Sequence, residues 1–337
     1  MAVGLDEGSL GVMLPLKATF ATLIKSDAKF TFEEAILDVD KAGIFANVAD
    51  VAQSIYQAAS QAKTFGDLKD DVLTADGIAT IYQYSADTGD PDVPAFYKDM
   101  NSKCYLKDRR QIQPYIKFVW LLLKTLSMLE PFPNDTVFRG VKSDVASNYP
   151  KGREFTWHGF CSLTRSAEVL KRAEFCGSSG VRTIFWIKLT QGQARDIKPY
   201  SMYPDEDEVL LPPGCSFEVK GKLDAGNGLT IIQVEELPSR SWILDLSRPT
   251  VKAALAALLE ATLRGDPHAS GEGGGSRKAK ALRRTPVVGQ QYVPFQWVPQ
   301  VVPQMVPEMV GIGGTGGWPQ AAMGMGHMPK KHHYVSK

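Results

Sequence analysis

The sequence has few of the features that would place this protein in a membrane, outside the cell or on nucleic acid. Its 337 residues carry a formal net charge of +1, and a nearly neutral chain has no overall field that attracts nucleic acid. The most apolar helical stretch, residues 118–129, is interrupted by Lys124 and is too short to span a bilayer. The N-terminus lacks the basic start, apolar run and cleavage site of a secretory signal. We therefore predict a cytoplasmic protein with no membrane span and no nucleic-acid partner.

The sequence also lacks the patterns that predict disulfides, a metal site or a dinucleotide-binding loop. The four cysteines form no CxxC pair and no disulfide framework. The histidines at 327, 332 and 333 lack the cysteine or carboxylate spacing of a structural metal site, so we predict no metal. Residues 311–316 match G-x-G-x-x-G, but they lie in Gly-rich sequence that neither follows a strand nor opens a helix.

The first part of the chain has the apolar spacing of helices. Residues 1–65 are predicted to form a helical N-terminal extension. Thr74 is a candidate N-cap for a helix that begins after it. A long helix is predicted over residues 112–130, ended by Pro131, with a core-facing stripe formed by Ile116, Trp120, Leu123 and Met128.

After residue 133 the apolar period changes to two, which is typical of strands. Three runs predict strands, at residues 181–189, 215–219 and 229–234, with a turn at residues 226–228. Helices followed by strands predict an α+β domain with a mostly antiparallel sheet. We assign residues 66–245 to this domain.

The C-terminal quarter has a different composition. Residues 246–266 predict an amphipathic helix, and residues 267–337 form a low-complexity tail rich in Gly, Pro and Met. Such a composition buries little apolar area, so we predict a disordered tail that is available to an unknown partner. Its basic run, residues 277–284, has the composition of a nuclear-localisation patch, and the alternative interpretation is a merely solubilising linker. A nuclear location is therefore the alternative to a cytoplasmic one.

Three separated fragments carry the chemistry. They are Val-Phe-Arg-Gly at residues 137–140, Gly-Phe-Cys-Ser-Leu-Thr at residues 159–164, and Glu-Asp-Glu-Val-Leu-Leu-Pro-Pro at residues 206–213. In this order they resemble the R-S-E signature of the arginine-specific mono-ADP-ribosyltransferases. The resemblance implies that NAD is a substrate, that the fold is a two-sheet ADP-ribosyltransferase-type sandwich, and that the acceptor is a protein with an exposed arginine.

The resemblance gives the two glutamates distinct roles. Glu208 would hydrogen-bond the ribose 2′-hydroxyl of NAD and stabilise the positive charge that develops on the sugar. Glu206 would hold the acceptor guanidinium and help to remove its proton. In an extended segment, alternation would place both side chains on one side. The alternative interpretation is a solvated acidic turn.

The resemblance assigns the remaining site residues. Arg139 and Gly140 would bind NAD, through its phosphate–ribose region and its nicotinamide amide. Ser162 would orient the catalytic glutamate and the nicotinamide ribose, and Tyr203 would pack on an acceptor guanidinium. Each has a structural alternative: a salt bridge for Arg139, an ordinary strand hydroxyl for Ser162, and an ordinary loop side chain for Tyr203.

These observations predict an enzyme that transfers ADP-ribose from NAD to arginine side chains and releases nicotinamide. Two other functions stay open. An NAD glycohydrolase would use the same groups but deliver the ribose to water. A catalytically silent binding module would use the scaffold and the Pro-rich tail for protein contacts.

Overall fold

The computed structural model describes residues 15–69, 72–87, 95–172 and 175–247. The predicted helix at residues 246–266 and the tail at residues 267–337 lie outside the described residues, apart from residues 246 and 247. Helices occupy the first part of the described chain and strands the second, as the change of apolar period indicates.

The helical part contains helices α1 (Leu16–Thr19), α2 (Ala21–Ser26), α3 (Phe32–Lys41), α4 (Val48–Thr64), α5 (Ala75–Ser85), α6 (Phe96–Cys104) and α7 (Ile116–Leu126). A capping box begins α3, with Thr31 and Glu34 each bonding the other's backbone amide. Thr74 caps α5 by accepting from the Gly77 amide at 3.2 Å, which confirms its prediction as an N-cap. No helix among the described residues combines the length and apolar character needed to cross a membrane.

The predicted helix at residues 112–130 is wrong at both ends. A 3₁₀ turn at Gln113–Tyr115, which contains a proline, precedes α7, and α7 ends at Leu126. Met128 therefore lies beyond the helix and is 42% exposed, whereas Trp120 and Leu123 are buried as expected.

Eight strands form the second part: β1 (Thr136–Val141), β2 (Glu154–Trp157), β3 (Cys161–Thr164), β4 (Arg182–Lys188), β5 (Arg195–Asp196), β6 (Glu208–Leu211), β7 (Cys215–Asp224) and β8 (Leu229–Leu237). Their order in the sheet is β2-β7-β8-β4-β1-β3-β6-β5. Only β4 and β8 pair in parallel, and the other neighbours are antiparallel. The α+β class and the mostly antiparallel sheet are thus confirmed. The predicted turn at residues 226–228 is confirmed as well, since all three residues have positive φ.

The two sheets expected from the resemblance are joined into one hydrogen-bonded sheet at a narrow junction. There β1 and β3 share one registered pair, Phe138 with Thr164. The strands β2, β7, β8 and β4 lie on the β1 side of this junction, and β6 and β5 lie on the β3 side.

Two apolar cores lie on opposite faces of β6. Leu210 packs into the core formed with the helices, which includes buried residues of α3, α4, α5 and α7. Val209 and Leu211 pack into the core between the strands. Since successive strand residues point to opposite faces, Glu208 shares the face of Leu210. The helices before residue 66 therefore belong to the core that supports this face of the sheet.

Candidate active site

A cleft lies at the junction between β1 and β3, beside the start of β6. Its volume is about 320 Å³ when the part open to solvent is included. Its walls are formed by Phe138, Arg139, Gly140, Ser162, Leu163, Thr164, Leu170, Phe175, Glu206 and Glu208. Five of the six predicted site residues are thus brought together, although the three fragments are far apart in the sequence.

The Arg139 side chain separates the two strands that flank the cleft. Extending the register of β1 and β3 would set Gly140 opposite Ser162. The Ser162 carbonyl instead accepts from Arg139 Nη1 at 2.9 Å. Because a side chain takes this acceptor, the ladder stops and the strands part at the cleft.

Arg139 is surrounded by neutral groups. None of the ion pairs formed within the described ranges involves it, which argues against the structural salt bridge. Burial raises the pKa of the neighbouring Cys161 thiol and of the Tyr84 and Tyr105 phenols, so all three are uncharged at neutral pH. The positive charge of Arg139 is therefore available to an anion in the cleft.

Gly140 leaves room for a neighbouring cysteine. A Cβ at this position would lie 2.9 Å from Cys176 Cβ and 3.3 Å from Leu170 Cδ2. Real carbon atoms do not approach so closely without displacement, so a side chain here would push the loop away from the cleft wall. This packing is a second reason for glycine, beside its predicted contact with nicotinamide.

Glu208 opens β6 at the base of the cleft. The residue is 1% exposed, and its Oε2 accepts from Ser201 Oγ at 3.3 Å. Ser201 Oγ also accepts from the Tyr203 amide at 3.1 Å. Sequence reasoning missed Ser201, because it stands seven residues before Glu208 in a segment without a motif.

The two glutamates do not lie on one extended segment, so the argument from alternation is wrong. Pro204–Glu206 form a 3₁₀ turn, and Asp207 adopts left-handed backbone angles, φ 48° and ψ 46°. This turn, rather than β pleating, directs both Glu206 and Glu208 into the cleft. Glu206 is half-buried and Glu208 buried, so the solvated acidic turn does not describe them.

The backbone of the turn is held by three neighbouring groups. The carbonyls of residues 206–208 accept, in order, from Thr164 Oγ1 at 2.9 Å, from the Arg165 amide at 3.4 Å and from the Ile197 amide at 3.1 Å. Thr164, which had no assigned role in the sequence, thus holds the turn through its hydroxyl. Nothing in the sequence indicated this contact, because Thr164 and Glu206 are 42 residues apart.

Tyr203 lies outside the walls of the cleft. It is 41% exposed and precedes the 3₁₀ turn, where its carbonyl accepts from the Glu206 amide at 3.1 Å. Its predicted contact with an acceptor guanidinium stays a prediction.

The helical layer contacts the site through Tyr84 and Asn101. The Asn101 carboxamide accepts from the Phe160 amide at 2.9 Å and also bonds Tyr84. Burial, and then the charge of Glu208, raise the pKa of Tyr84 well above its ordinary value. A neutral phenol therefore lies near Glu208. Within the part of the chain that the structure describes, no cluster of three or more His, Cys, Asp or Glu could hold a metal ion.

The part of the chain that contains the three fragments matches a known family. The family profile described as NAD:arginine ADP-ribosyltransferase matches residues 71–240, half of the chain. The chain belongs to this family. The matched residues include all six predicted site residues and every strand of the sheet.

One relative is similar over a shorter part of the chain than the family profile, and several solved structures are similar at low sequence identity. A Mycobacterium avium (strain 104) protein, provisionally named NAD(+)–arginine ADP-ribosyltransferase Mav, is 37% identical over 118 residues. These are 34% of this chain and 14% of that protein, so the chain spans only a small part of its relative's length.

Two bacterial proteins are among the similar solved structures. The type III effector XopAI from Xanthomonas axonopodis pv. citri is 17% identical, with a TM-score of 0.47, over 68% of this chain and 96% of that one. The ADP-ribosyltransferase HopU1 of Pseudomonas syringae pv. tomato is 18% identical, with a TM-score of 0.45, over 55% of this chain and 87% of that one. These similarities are too distant to assign an activity.

Proposed function

We propose that this protein transfers ADP-ribose from NAD to arginine side chains of proteins and releases nicotinamide. The observation that carries the proposal is the convergence of Arg139, Ser162, Glu206 and Glu208 on one cleft. A cation, a hydroxyl and two carboxylates are the groups that this reaction requires.

The bond changes explain the requirement. The bond between ribose C1′ and the nicotinamide nitrogen breaks, and its electron pair neutralises the positive ring of the leaving nicotinamide. Because the leaving group departs as a neutral molecule, no general acid is needed. The ribose becomes an oxocarbenium-like cation, which a carboxylate stabilises, as in glycosidases. A guanidinium nitrogen then bonds C1′ and loses a proton.

Glu208 is the carboxylate that we assign to the ribosyl cation. It is the most buried acidic group in the cleft wall, and a fixed charge acts most strongly on a developing charge where water is excluded. The bond from Ser201 holds one of its oxygens in place before NAD binds. We assign its other oxygen to the ribose 2′-hydroxyl.

Arg139 and Ser162 are assigned to NAD binding. The diphosphate of NAD is anionic, and the Arg139 guanidinium is a cation in the cleft wall that no described carboxylate pairs. The link from Arg139 to the Ser162 carbonyl keeps both residues at the same position along the cleft. Gly140 follows Arg139 on β1 and is assigned to the nicotinamide amide.

Glu206 is assigned to the acceptor. A free guanidinium is too basic to attack at neutral pH, so a carboxylate must take its proton as the new bond forms. Glu206 is nearer to solvent than Glu208, which suits a group that meets a second substrate. The family's description and the name of the Mycobacterium avium relative also favour arginine as the acceptor.

The proposal is tested by incubating the full chain with labelled NAD and agmatine, a small guanidine. We measure free nicotinamide and ADP-ribosylated agmatine in parallel. Glu208→Gln should reduce both products by about 10²–10³-fold, as expected when a charge-stabilising group is lost. Glu206→Gln should mainly reduce transfer to agmatine. Glu154→Gln, an exposed carboxylate on β2, is the control and should behave as wild type.

Three outcomes decide between the candidate functions. Nicotinamide release without modified agmatine or protein would favour an NAD glycohydrolase. No nicotinamide release from wild type would favour a silent binding module. Near wild-type release by Glu208→Gln would show that the ribosyl cation is stabilised by another group.

A further inference from the structure

The residue between the two glutamates points away from the cleft and into a cluster of charges. Asp207 Oδ1 lies 2.5 Å from Lys198 Nζ and 3.5 Å from Arg165 Nη2. Arg165 Nη1 lies 3.1 Å from Asp196 Oδ2. We call these four residues the Asp207 cluster. It joins the end of β3, the end of β5 and the turn before β6.

The left-handed backbone of Asp207 links the position of its side chain to the directions of the two glutamates beside it. Its φ of 48° is left-handed, a conformation that costs energy for most residues and that Asp and Asn tolerate best. With residue 207 in this conformation, its side chain points outward while both neighbouring side chains line the cleft. A restraint on the Asp207 side chain is therefore a restraint on the direction of both glutamates.

The two glutamates depend on this restraint to different degrees. Glu208 belongs to the β3–β6 ladder, where it pairs with Thr164, and it bonds Ser201. Glu206 belongs to the 3₁₀ turn and is half-buried. Releasing Asp207 should thus displace Glu206 more than Glu208.

We propose that Asp207 is a positioning residue that, through Lys198 and Arg165, sets the direction of Glu206 and thereby the partition of ADP-ribose between a guanidine acceptor and water. The proposal rests on the proposed function for its chemical consequence. Its structural part, the ordering of the turn, does not depend on that function.

The electrostatics of the cluster predict a salt dependence. The hydrogen bond and the charge of Lys198, and then the charge of Arg165, lower the pKa of Asp207, so Asp207 is ionised at neutral pH. Its side chains are 28–44% exposed, and exposed ion pairs are screened by salt. Since such pairs contribute little to global stability, the cluster can be removed without unfolding the protein.

The test uses Asp207→Asn, which keeps the side-chain shape and the tolerance for left-handed angles but removes the charge. Asp27→Asn is the matched control. Asp27 also has a left-handed backbone, with φ 46°, and pairs with a lysine, Lys124, at 2.8 Å. It ends α2 and takes no part in the cleft. Lys198→Met removes the partner while keeping Asp207.

We expect Asp207→Asn to lower the ratio of agmatine transfer to NAD hydrolysis about tenfold, as a misplaced group does. Lys198→Met should act in the same direction, and the double variant should add little to either one. Asp27→Asn should match wild type. Raising NaCl from about 0.05 to about 0.5 M should lower the ratio in wild type but not in Asp207→Asn.

A wild-type ratio in both Asp207→Asn and Lys198→Met, with Glu206→Gln lowering it, would overturn the proposal. If wild type transfers nothing to agmatine, the proposed function fails instead, and amide exchange then decides the structural part. The amides of Arg165 and Glu206 should exchange faster in Asp207→Asn than in Asp27→Asn. Equal exchange would overturn the ordering of the turn.

Discussion

Two arginines on short strands of the same sheet show how differently one side chain can be used. Arg195 on β5 is 0% exposed. Its guanidinium donates to the carbonyls of Leu126, Gly192, Ala194 and Leu246. Arg139 on β1 donates to the Ser162 carbonyl and faces the cleft.

The comparison teaches that burial alone does not identify a functional arginine. Burial lowers the pKa of Arg195 to about 10, yet it stays protonated at neutral pH. Its donors are taken up by backbone carbonyls of the end of α7, of the segment around β5 and of the segment after β8. The carbonyls of Leu126 and Ala194 also accept from backbone amides, whereas Arg195 supplies the side-chain bonds that join these segments. Arg139 instead lies in the wall of a cleft that a ligand can enter. The two arginines therefore differ in their surroundings: the Arg195 guanidinium is enclosed by backbone carbonyls, and the Arg139 guanidinium borders a cleft.

The largest expected effect is on Arg139. Arg139→Lys keeps the charge but loses the planar fork that binds phosphate oxygens. We expect kcat/KM for nicotinamide release to fall by about 10²-fold, with the midpoint of thermal unfolding close to wild type. Steady-state kinetics and circular dichroism check the two parts. A variant that is active but unfolds early would place Arg139 with Arg195 as a structural residue.

Arg195 should show the opposite pattern. Arg195→Met removes the charge and leaves the carbonyls of Gly192 and Leu246 without the donor that Arg195 supplies, while those of Leu126 and Ala194 keep backbone amides. This should destabilise the fold by about 2–5 kcal/mol. Urea unfolding measures the loss. Per folded molecule, nicotinamide release at low temperature should remain near wild type. A stable variant with impaired NAD cleavage would break the comparison.

Two adjacent glutamates extend the comparison to pH. Glu236 is 2% exposed, its Oε2 accepts from the amides of Thr190 and Gln191, and burial raises its pKa. Its contribution to stability is therefore present below its unfolded pKa and is lost as pH rises through the higher folded value. Glu236→Gln should gain stability relative to wild type across that window, by less than the Arg195 effect.

Glu235, the neighbouring residue, is the matched control for this pH dependence. The hydrogen bond from Lys188 lowers its pKa, so its contribution is present above the unfolded pKa and is lost as pH falls through the folded value. Unfolding midpoints should be measured from strongly acidic pH, below the ordinary carboxyl pKa of 4.5, to mildly alkaline pH. The difference between variant and wild type should fall with rising pH for Glu235→Gln and rise with rising pH for Glu236→Gln. The same change with pH in both variants would contradict burial as the cause of the raised pKa of Glu236.

The smallest effect is expected outside the described residues. Removing residues 271–337, the low-complexity sequence, should leave kcat/KM for nicotinamide release within about twofold of wild type, because such sequence buries little apolar area. Kinetics on the purified truncation measure this, and its cellular distribution tests the basic run at residues 277–284. Aggregation or lost NAD cleavage would show that the tail packs on the domain.

Much of the site could be predicted because its main residues stand in short, ordered fragments. Arg139, Ser162 and the two glutamates were found from their order along the chain, and the structure places all four in one cleft. The helix-to-strand change and the Thr74 cap were also readable, because both depend on local spacing. The direction of Glu206 was predicted for the wrong reason, since the left-handed angles of Asp207 have no local signature beyond an aspartate.

The sequence by itself determined the class of the fold, the family and the five predicted residues that line the cleft, since each depends on side-chain types within short segments and on the order of those segments. Only the tertiary structure decided which polar groups hold them. Thr164 with Glu206, Arg165 and Lys198 with Asp207, and Arg195 with Leu126 and Leu246 are contacts between chain segments that are separate elements. Hydrogen bonds and ion pairs act over a few ångströms, so their partners are set by how strands and helices pack and not by distance along the chain.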